Sequence, residues 1–247
     1  MGGLVPPAMQ RTVATFRRGD LFRIEGEELK HIFARRWKVG QKVEVFWEGR
    51  LFLCVLESIS KKGAVCRILE EISTRPAEPY VYLYQCVPVE IGKMDFIVEK
   101  VSEVGAYQLT PLLSSRSFQN LQALEKRYER WRRIAFSSFK QCGRPIPLEI
   151  APVTHLEDLK CRGGVCMVLD SFGGEIWLSE VNLKDVKEVH LVVGPEGGFS
   201  EKEVQLLREK GFLPVRLRPY TLRSETAAVL AVGLVMNFSS PPSPTSS

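Results

Sequence analysis

Beyond residue 79 short apolar, β-branched runs alternate with stretches of helical spacing, and that alternation leaves room for little except a mainly parallel sheet covered by helices. Strand-like runs fall at 80–87, 108–113, 148–153, 165–169 and 189–193. Helices are predicted at 93–104, 121–140, 154–160, 201–210 and 225–238; the first carries Met94, Ile97, Val101 and Val104 at helical spacing and stops before Gly105. The fold class is α/β.

The first third of the chain has a different rhythm. Runs at 42–47, 51–59 and 64–69 alternate apolar and polar residues, separated by turn signals at Glu48-Gly49 and Lys61-Lys62-Gly63. They predict a small β-barrel, with one short helix at 27–33 ending before the Lys38-Val39-Gly40 turn. The proline-containing connector at 74–79 is the natural boundary. The expected organisation is a barrel domain over 1–74, an α/β domain over 80–238 and a low-complexity, disordered tail over 239–247.

With 247 residues, 45 % of them hydrophobic, the chain can bury a real core. No run of eighteen apolar residues exists, and the N-terminus lacks both a charged leader and a myristoylation Ser or Thr, so a cytoplasmic protein without membrane contact is expected. Cys54, Cys66, Cys86, Cys142, Cys161 and Cys166 form no Cys-x-x-Cys pair and read as reduced, mostly buried thiols with no metal site. His31, His155 and His190 are scattered. His155 follows Thr154, which with Glu157 reads as the capping box of a surface helix.

The net charge of +5 is unevenly spread: residues 116–144 hold eight Lys/Arg against two acids, a local +6. A phosphate backbone suits such a field, and a solvated helix face is the other reading.

The chemistry concentrates near the C-terminus. Leu191, Val192 and Val193 read as a buried strand ending in the turn Gly194-Pro195-Glu196-Gly197-Gly198, whose glycines expose backbone groups to a ligand. Ser200 with Glu203 forms a capping box, and Gly211 closes the helix that follows. A second loop-plus-helix segment, 217–228, comes directly after. No Gly-Lys-Ser/Thr follows the glycines and their spacing is not that of a dinucleotide fingerprint, which disfavours a nucleotide triphosphate site and a Rossmann fold.

This pair of segments resembles the C-terminal signature of the RsmE family of SPOUT methyltransferases. The stretch 194–199 matches fully, as do Leu217, Leu222, Arg223, Glu225, Thr226 and Ala227, while Arg218 stands where the family usually has Gly and Thr221 where it usually has Ile. Lys100, Glu103 and Gly105, then Arg130-Trp131, Ile134-Ala135 and Gln141-Cys142-Gly143-Arg144, extend the likeness. Ser115, Ser137 and Lys140 replace usual glutamates. Residues 31–40, with Arg35-Arg36, are similar to a family segment of the barrel. The resemblance implies a PUA-like RNA-binding barrel and a trefoil-knotted α/β domain. It also implies a homodimer, S-adenosylmethionine as cofactor, and methylation of a uridine N3 in 16S ribosomal RNA of the small ribosomal subunit.

On that basis the cofactor is expected against Leu169, Gly194, Pro195, Glu196, Gly197, Gly198, Leu217, Tyr220, Thr221 and Leu222. RNA is expected on Arg35, Arg36, Arg116, Arg130, Arg132, Arg133 and Arg144. Arg223 and Glu225 are the catalytic candidates: the Arg223 cation can face the uracil oxygens as N3 loses its proton, or it can serve as a structural ion pair with Glu225. Glu196 either accepts a proton or is held by backbone amides of the turn. A non-catalytic RNA-binding or ribosome-assembly protein of the same fold, and a SPOUT enzyme acting on another nucleotide, remain open.

Overall fold

The computed structural model describes residues 9–170 and 173–239. Of the tail at 239–247 only Ser239 is included, so the disorder expected there lies outside the described residues. The chain divides into two compact units, one formed by residues up to Arg75 together with Phe139–Ile146, the other by Pro76–Ser138 and the residues from Pro147 onward. A single cut at the 74–79 connector does not describe this partition, because a short later segment returns to the first unit.

In the first unit β1 (Arg11–Val13), β2 (Phe16–Arg18), β3 (Leu21–Ile24), α1 (Gly26–Ala34), β4 (Lys42–Trp47), β5 (Arg50–Ser60) and β6 (Gly63–Ile72) follow in order. The six strands are arranged β1-β4-β5-β6-β3-β2, antiparallel except for β1 beside β4. Residues 11–18 pair with β4 in their first half and with β3 in their second. Ala14 N–H donates to Phe46 O at 3.1 Å and Thr15 N–H to Arg23 O at 2.7 Å, so the change of partner is made within two residues. This curls the sheet around Phe22, Ile24, Val43, Val45, Cys54 and Leu56, all buried. The three alternating runs predicted at 42–47, 51–59 and 64–69 lie within β4, β5 and β6, their apolar positions inward as a period of two requires.

Arg11 explains why residues 139–146 join this unit. Its guanidinium, 5 % exposed, meets Glu44 at 2.6 Å and donates to Phe139 O at 2.9 Å and Arg144 O at 2.6 Å. It also lies 4.3 Å over the Phe139 ring, which packs edge-on against Phe46.

The second unit contains β7 (Tyr80–Cys86), α2 (Lys93–Glu103), β8 (Gln108–Leu113), α3 (Leu121–Cys142), β9 (Glu149–Ile150), β10 (Thr154–His155), β11 (Val165–Leu169), β12 (Ile176–Trp177), β13 (Glu188–Val193), α4 (Glu201–Glu209), β14 (Leu213–Arg216) and α5 (Ser224–Phe238); the last turn of α3 counts with the first unit. Its sheet is parallel throughout, ordered β10-β8-β7-β13-β11-β14-β12 with β9 beside β8. The crossovers interleave: β13 returns from the edge to lie between β7 and β11, and β14 enters between β11 and β12. Val81 and Leu83 of β7 pack in one core with Val98 of α2 and with Ala228 and Val232 of α5. Val168 and Val192, on the opposite side of the sheet, pack with Leu207 of α4 and Phe212.

Three expectations need correction. The helix predicted at 154–160 does not form: Thr154–His155 pairs with β8, and Leu156–Asp158 is a single 3-10 turn without a side-chain cap. Pro152 and the β-branched Val153 and Thr154 favour extended backbone, and burial of Leu156 and Leu159 fixes the turn. Thr154 Oγ1 donates to Pro152 O at 3.3 Å, so there is no capping box and His155 lies on a strand. Cys161 and Cys166 are not thiols but a disulfide across a short loop. The other expectation of buried thiols stands for Cys54, Cys66 and Cys86, where burial pushes each up to about 12. Third, a strand forms where none was predicted: β14 lies between Gly211 and the second loop-plus-helix segment, and Pro214, which lacks a ladder donor, hides it from a strand reading. Among the described residues no helix is long and apolar enough to cross a membrane.

Removing one member of a buried ion pair strands the other, a loss of about 3–5 kcal/mol. Glu44→Ala should therefore lower the unfolding free energy of the first unit by about that amount in urea titrations, whereas Glu70→Ala on the exposed side of β6 should stay within about 0.5 kcal/mol. Equal losses in the two variants would remove Arg11 from its organising role.

Candidate active site

The turn after β13 is braced on three sides. Within it Gly198 N–H donates to Pro195 O at 2.9 Å, and Gly198 adopts φ +64°, a conformation that L side chains rarely take. A Cβ on Gly194 would lie 3.1 Å from the Phe199 ring, a tight approach that a larger residue could make only if the ring gave way by a few tenths of an ångström.

Below the turn, Ser200 caps α4 as the sequence predicts: its Oγ accepts the Glu203 N–H at 3.3 Å while the Glu203 carboxylate accepts the Ser200 N–H at 2.8 Å. The second Glu203 oxygen accepts the Ser115 N–H at 2.7 Å, which ties α4 to the loop after β8. Burial alone would raise this carboxyl, but the Ser115 and Ser200 amides hold it below its ordinary value. Glu196 is similar. Burial opposes its charge, yet its own amide, Lys93 at 3.0 Å and the Val89 N–H at 3.1 Å keep it ionised below the ordinary range. Of its two predicted roles, the structure favours the amide-held carboxylate.

On the third side stands the start of α5. Ser224 is buried, donates from Oγ to Gly194 O at 2.5 Å and accepts from Gln85 Nε2 at 2.9 Å; the same Gln85 nitrogen reaches Cys86 O at 2.8 Å. Through this chain the ends of β7 and β13 and the first turn of α5 are held together.

Beside the turn, at the C-terminal ends of β11 and β14, is a narrow cleft lined by Leu169, Asp170, Val215, Arg216, Leu217, Tyr220, Leu222 and Ala227. Ligands of open parallel sheets lie at this edge. Arg216 stacks its guanidinium 4.0 Å over Trp177, and Arg218 turns to the same ring at 5.2 Å and donates to Ser179 Oγ at 3.2 Å. Arg218 is not among the cleft's walls.

Of the predicted cofactor residues, Leu169, Leu217, Tyr220 and Leu222 share this cleft. Gly194, Pro195, Glu196, Gly197 and Gly198 do not line it; they form the adjoining turn, joined through Ser224, and Thr221 is exposed between. Arg223 and Glu225 flank Ser224. The Arg223 side chain makes no cap bond, and among the described residues no ion pair joins it to Glu225, whose Oε2 is buried without a hydrogen-bond partner. Asp170, Arg216, Gln85 and Ser224 were missed. Asp170 follows the last residue of a predicted strand, a signal that could have found it, whereas Gln85 and Ser224 act through burial, which spacing does not reveal.

The expected RNA residues separate into groups. Arg35 and Arg36 are exposed after α1. Arg116 donates to Gly197 O at 2.8 Å, clasping the turn itself. Arg130 is held by Asp95 at 2.7 Å, Arg132 by Glu129 at 2.8 Å, and Arg133 donates to Glu129 O at 3.3 Å, all at the surface of α3. Arg144 differs: half-buried, it donates to Ile146 O at 2.6 Å, and burial lowers its guanidinium from the ordinary value, so its charge is spent inside the first unit. Among the described residues no group of three His, Cys, Asp or Glu could hold a metal.

Comparison with known proteins gives this geometry a family. The model of the RNA methyltransferase domain matches residues 76–236 and that of the RNA methyltransferase PUA domain residues 24–69. The ribosomal RNA small subunit methyltransferase E of Aquifex aeolicus is 41 % identical over 90 % of this chain and 96 % of its own length. The chain belongs to the ribosomal RNA small subunit methyltransferase E family. A Legionella pneumophila methyltransferase-like structure, solved with its cofactor S-adenosylmethionine, superposes with a TM-score of 0.78 at 25 % identity, covering 95 % of this chain and 99 % of that one. The Neisseria gonorrhoeae member of the family, 24 % identical over 93 % and 97 % of the two chains, has the same fold, with a TM-score of 0.79. The sequence reading of a PUA-bearing first unit and a SPOUT-type α/β second unit therefore holds for this family member.

Because the folded Glu203 carboxyl titrates below its unfolded value of about 4.3, its stabilisation is complete above that pH and is lost as pH falls through the folded value. Glu203→Gln should cost about 1.5–3 kcal/mol at neutral pH, the worth of hydrogen bonds to a charged group, and urea midpoints of parent and variant should converge on acidification. A gap independent of pH would count against the carboxylate brace.

Proposed function

We propose that the chain methylates N3 of a uridine in 16S ribosomal RNA, in the small ribosomal subunit, at the cleft between β11, β14 and α5. At the coarser level its family makes it an S-adenosylmethionine-dependent ribosomal RNA methyltransferase. The observation that carries the finer reading is the Arg223 cation at the head of α5, without an ion pair among the described residues and next to the braced turn and the cleft.

The residues present fit the cofactor. Leu169, Leu217, Leu222 and Ala227 offer apolar walls to a flat base, Asp170 and Tyr220 offer polar groups, and the glycine-bearing turn presents backbone without side-chain bulk. Bound S-adenosylmethionine supplies a methyl group on a sulfonium, open to in-line displacement without a metal. The chain's own share is orientation, which avoids most of the entropic cost of bringing reactants together, and charge. As uridine N3 loses its proton, negative charge spreads to the uracil oxygens, and Arg223 is placed to stabilise it. The free oxygen of Glu225 is the polar group proposed to hold a substrate N–H in register. Arg218, turned to Trp177 and Ser179, leaves the cleft open, which supports catalysis over a purely RNA-binding role.

Arg35, Arg36, Arg116, Arg132 and Arg133 are proposed to meet RNA phosphates, Arg130 more weakly because Asp95 already neutralises it. A homodimer is proposed on α5: Leu230 and Phe238 on this helix and Phe96 on α2 are exposed large apolar side chains of a kind that association buries. A cytoplasmic location is part of the same reading.

A Cβ at Gly197 would meet only the flexible Arg116 side chain, at 3.4 Å, so Gly197→Val should fold normally. It should abolish S-adenosylmethionine binding in calorimetry; unchanged affinity would remove the turn from the cofactor site.

Arg223→Ala should lower turnover about 10²–10³-fold, the usual effect of deleting a donor to developing negative charge, with little change in cofactor affinity, and Arg223→Lys should rescue little. Mapping of methylated nucleosides in ribosomal RNA from cells with and without the protein tests the nucleotide itself. Normal turnover in Arg223→Ala, or a methylated base other than uridine, would overturn the finer reading.

A further inference from the structure

A second cleft, sharing no lining residue with the first, lies on the opposite side of β7 from the face that packs on α2 and α5. Side chains alternate along a strand, so Tyr82 and Tyr84 project there while Val81 and Leu83 face the helices. The neighbouring strand β13 sets His190 directly beside Tyr82. The Tyr82 and His190 rings stack with centroids 4.8 Å apart and planes 8° from parallel, and the Tyr84 hydroxyl is 3.1 Å from His190 Nδ1. These rings floor an opening of about 470 Å³.

The surrounding groups are polar and unspent. His190 is 4 % exposed, and its Nε2 has no hydrogen-bond partner. Arg162 stands on the loop closed by the Cys161–Cys166 disulfide and Lys160 directly before it; among the described residues neither makes a hydrogen bond or ion pair, and two acids, Asp158 and Glu188, line the same cleft. Thr110, from β8, adds a hydroxyl. A buried imidazole with one idle nitrogen, a row of aromatic rings, two carboxylates and two cations together suit a ligand with a flat face, edges that both donate and accept hydrogen bonds, and a negative group within reach of Lys160 and Arg162. An apolar peptide would leave the polar groups unpaired, and a bare anion would make no use of the rings.

We propose that this cleft binds a nucleobase with its phosphate, a nucleotide site separate from the one that receives the methylated residue. The ring row takes the base, and Lys160 and Arg162 take the phosphate. The site's occupant is a nucleotide of a single-stranded RNA segment or a free nucleotide, two sources with one chemistry. The proposal does not depend on which ribosomal nucleotide is methylated.

The test is binding rather than methyl transfer, so its failure is separable from failure of the uridine N3 assignment. A fluorescent single-stranded oligonucleotide containing 4-thiouridine is titrated into the intact protein, irradiated at long wavelength and digested for mass spectrometry. Cross-links are expected on the peptide holding Tyr82 and Tyr84. Charge reversal in the double variant Lys160→Glu, Arg162→Glu, both at exposed positions, should weaken oligonucleotide binding about tenfold or more, with unchanged melting temperature and S-adenosylmethionine affinity. Competition by uridine or adenosine monophosphate identifies the free nucleotide as the occupant, and absence of competition identifies the RNA chain. Cross-links that avoid β7 in the unaltered protein, or oligonucleotide affinity within about twofold of the parent in the charge-reversed one, would overturn the proposal.

Discussion

A single hydroxyl hydrogen joins the end of β13 to the beginning of α5. Ser224 donates it to Gly194 O at 2.5 Å, and Ser224 Oγ in turn accepts from Gln85 Nε2 of β7 at 2.9 Å, so three elements far apart in sequence share one buried polar contact. Nearly everything about the candidate site follows from this constraint. It sets the glycine turn against the helix head, places Arg223 and Glu225 on either side, and leaves the cleft open beside β11 and β14. Hydroxyl and amide groups buried this deeply are costly unless paired, by about 1–3 kcal/mol each, so the arrangement tolerates few alternatives.

The turn is also held from the side away from α5. Glu203 reaches Ser115 while capping its own helix, Glu196 reaches Lys93 and Val89, and Arg116 reaches Gly197 O. Two carboxylates and one guanidinium therefore fix a loop whose own residues are mostly glycine. Catalytic electrostatics favour this division of labour: a backbone that presents bare amides has no side chains to stiffen it, and rigidity must come from neighbours.

The parts of this molecule legible in the sequence are those with a strong local pattern. The runs that became β4, β5, β6, β7, β11 and β13, the α4 capping box and the signature at 194–199 each carry their information within a few residues. What escaped is decided by partners distant in the chain. The strands β1, β2 and β3 are too short to display a period, and Pro214 masks a strand that exists because β11 and β12 accept it on either side. The 154–160 segment has helix-like signals, but burial of Leu156 and Leu159 overrides them. Leu169, Leu217, Tyr220 and Leu222 were expected at the site through resemblance, yet Asp170 and Arg216, which line the same cleft, carry no motif. Arg144 looked like one more surface cation until its bond to Ile146 O turned it inward.

The first unit closes in a way that bears on its behaviour before folding is complete. Without residues 11–18 its sheet would be a four-strand ribbon, β4-β5-β6-β3, with a row of unpaired amides and carbonyls on each outer strand. Such bare edges recruit strands from other molecules. One short run, switching partners between Ala14 and Thr15, covers β4 with its first half and β3 with its second. Protection of both edges is therefore a single event: a proteolytic fragment cut free of that run would present two adhesive borders at once, and the sheet's solubility rests on residues 11–18.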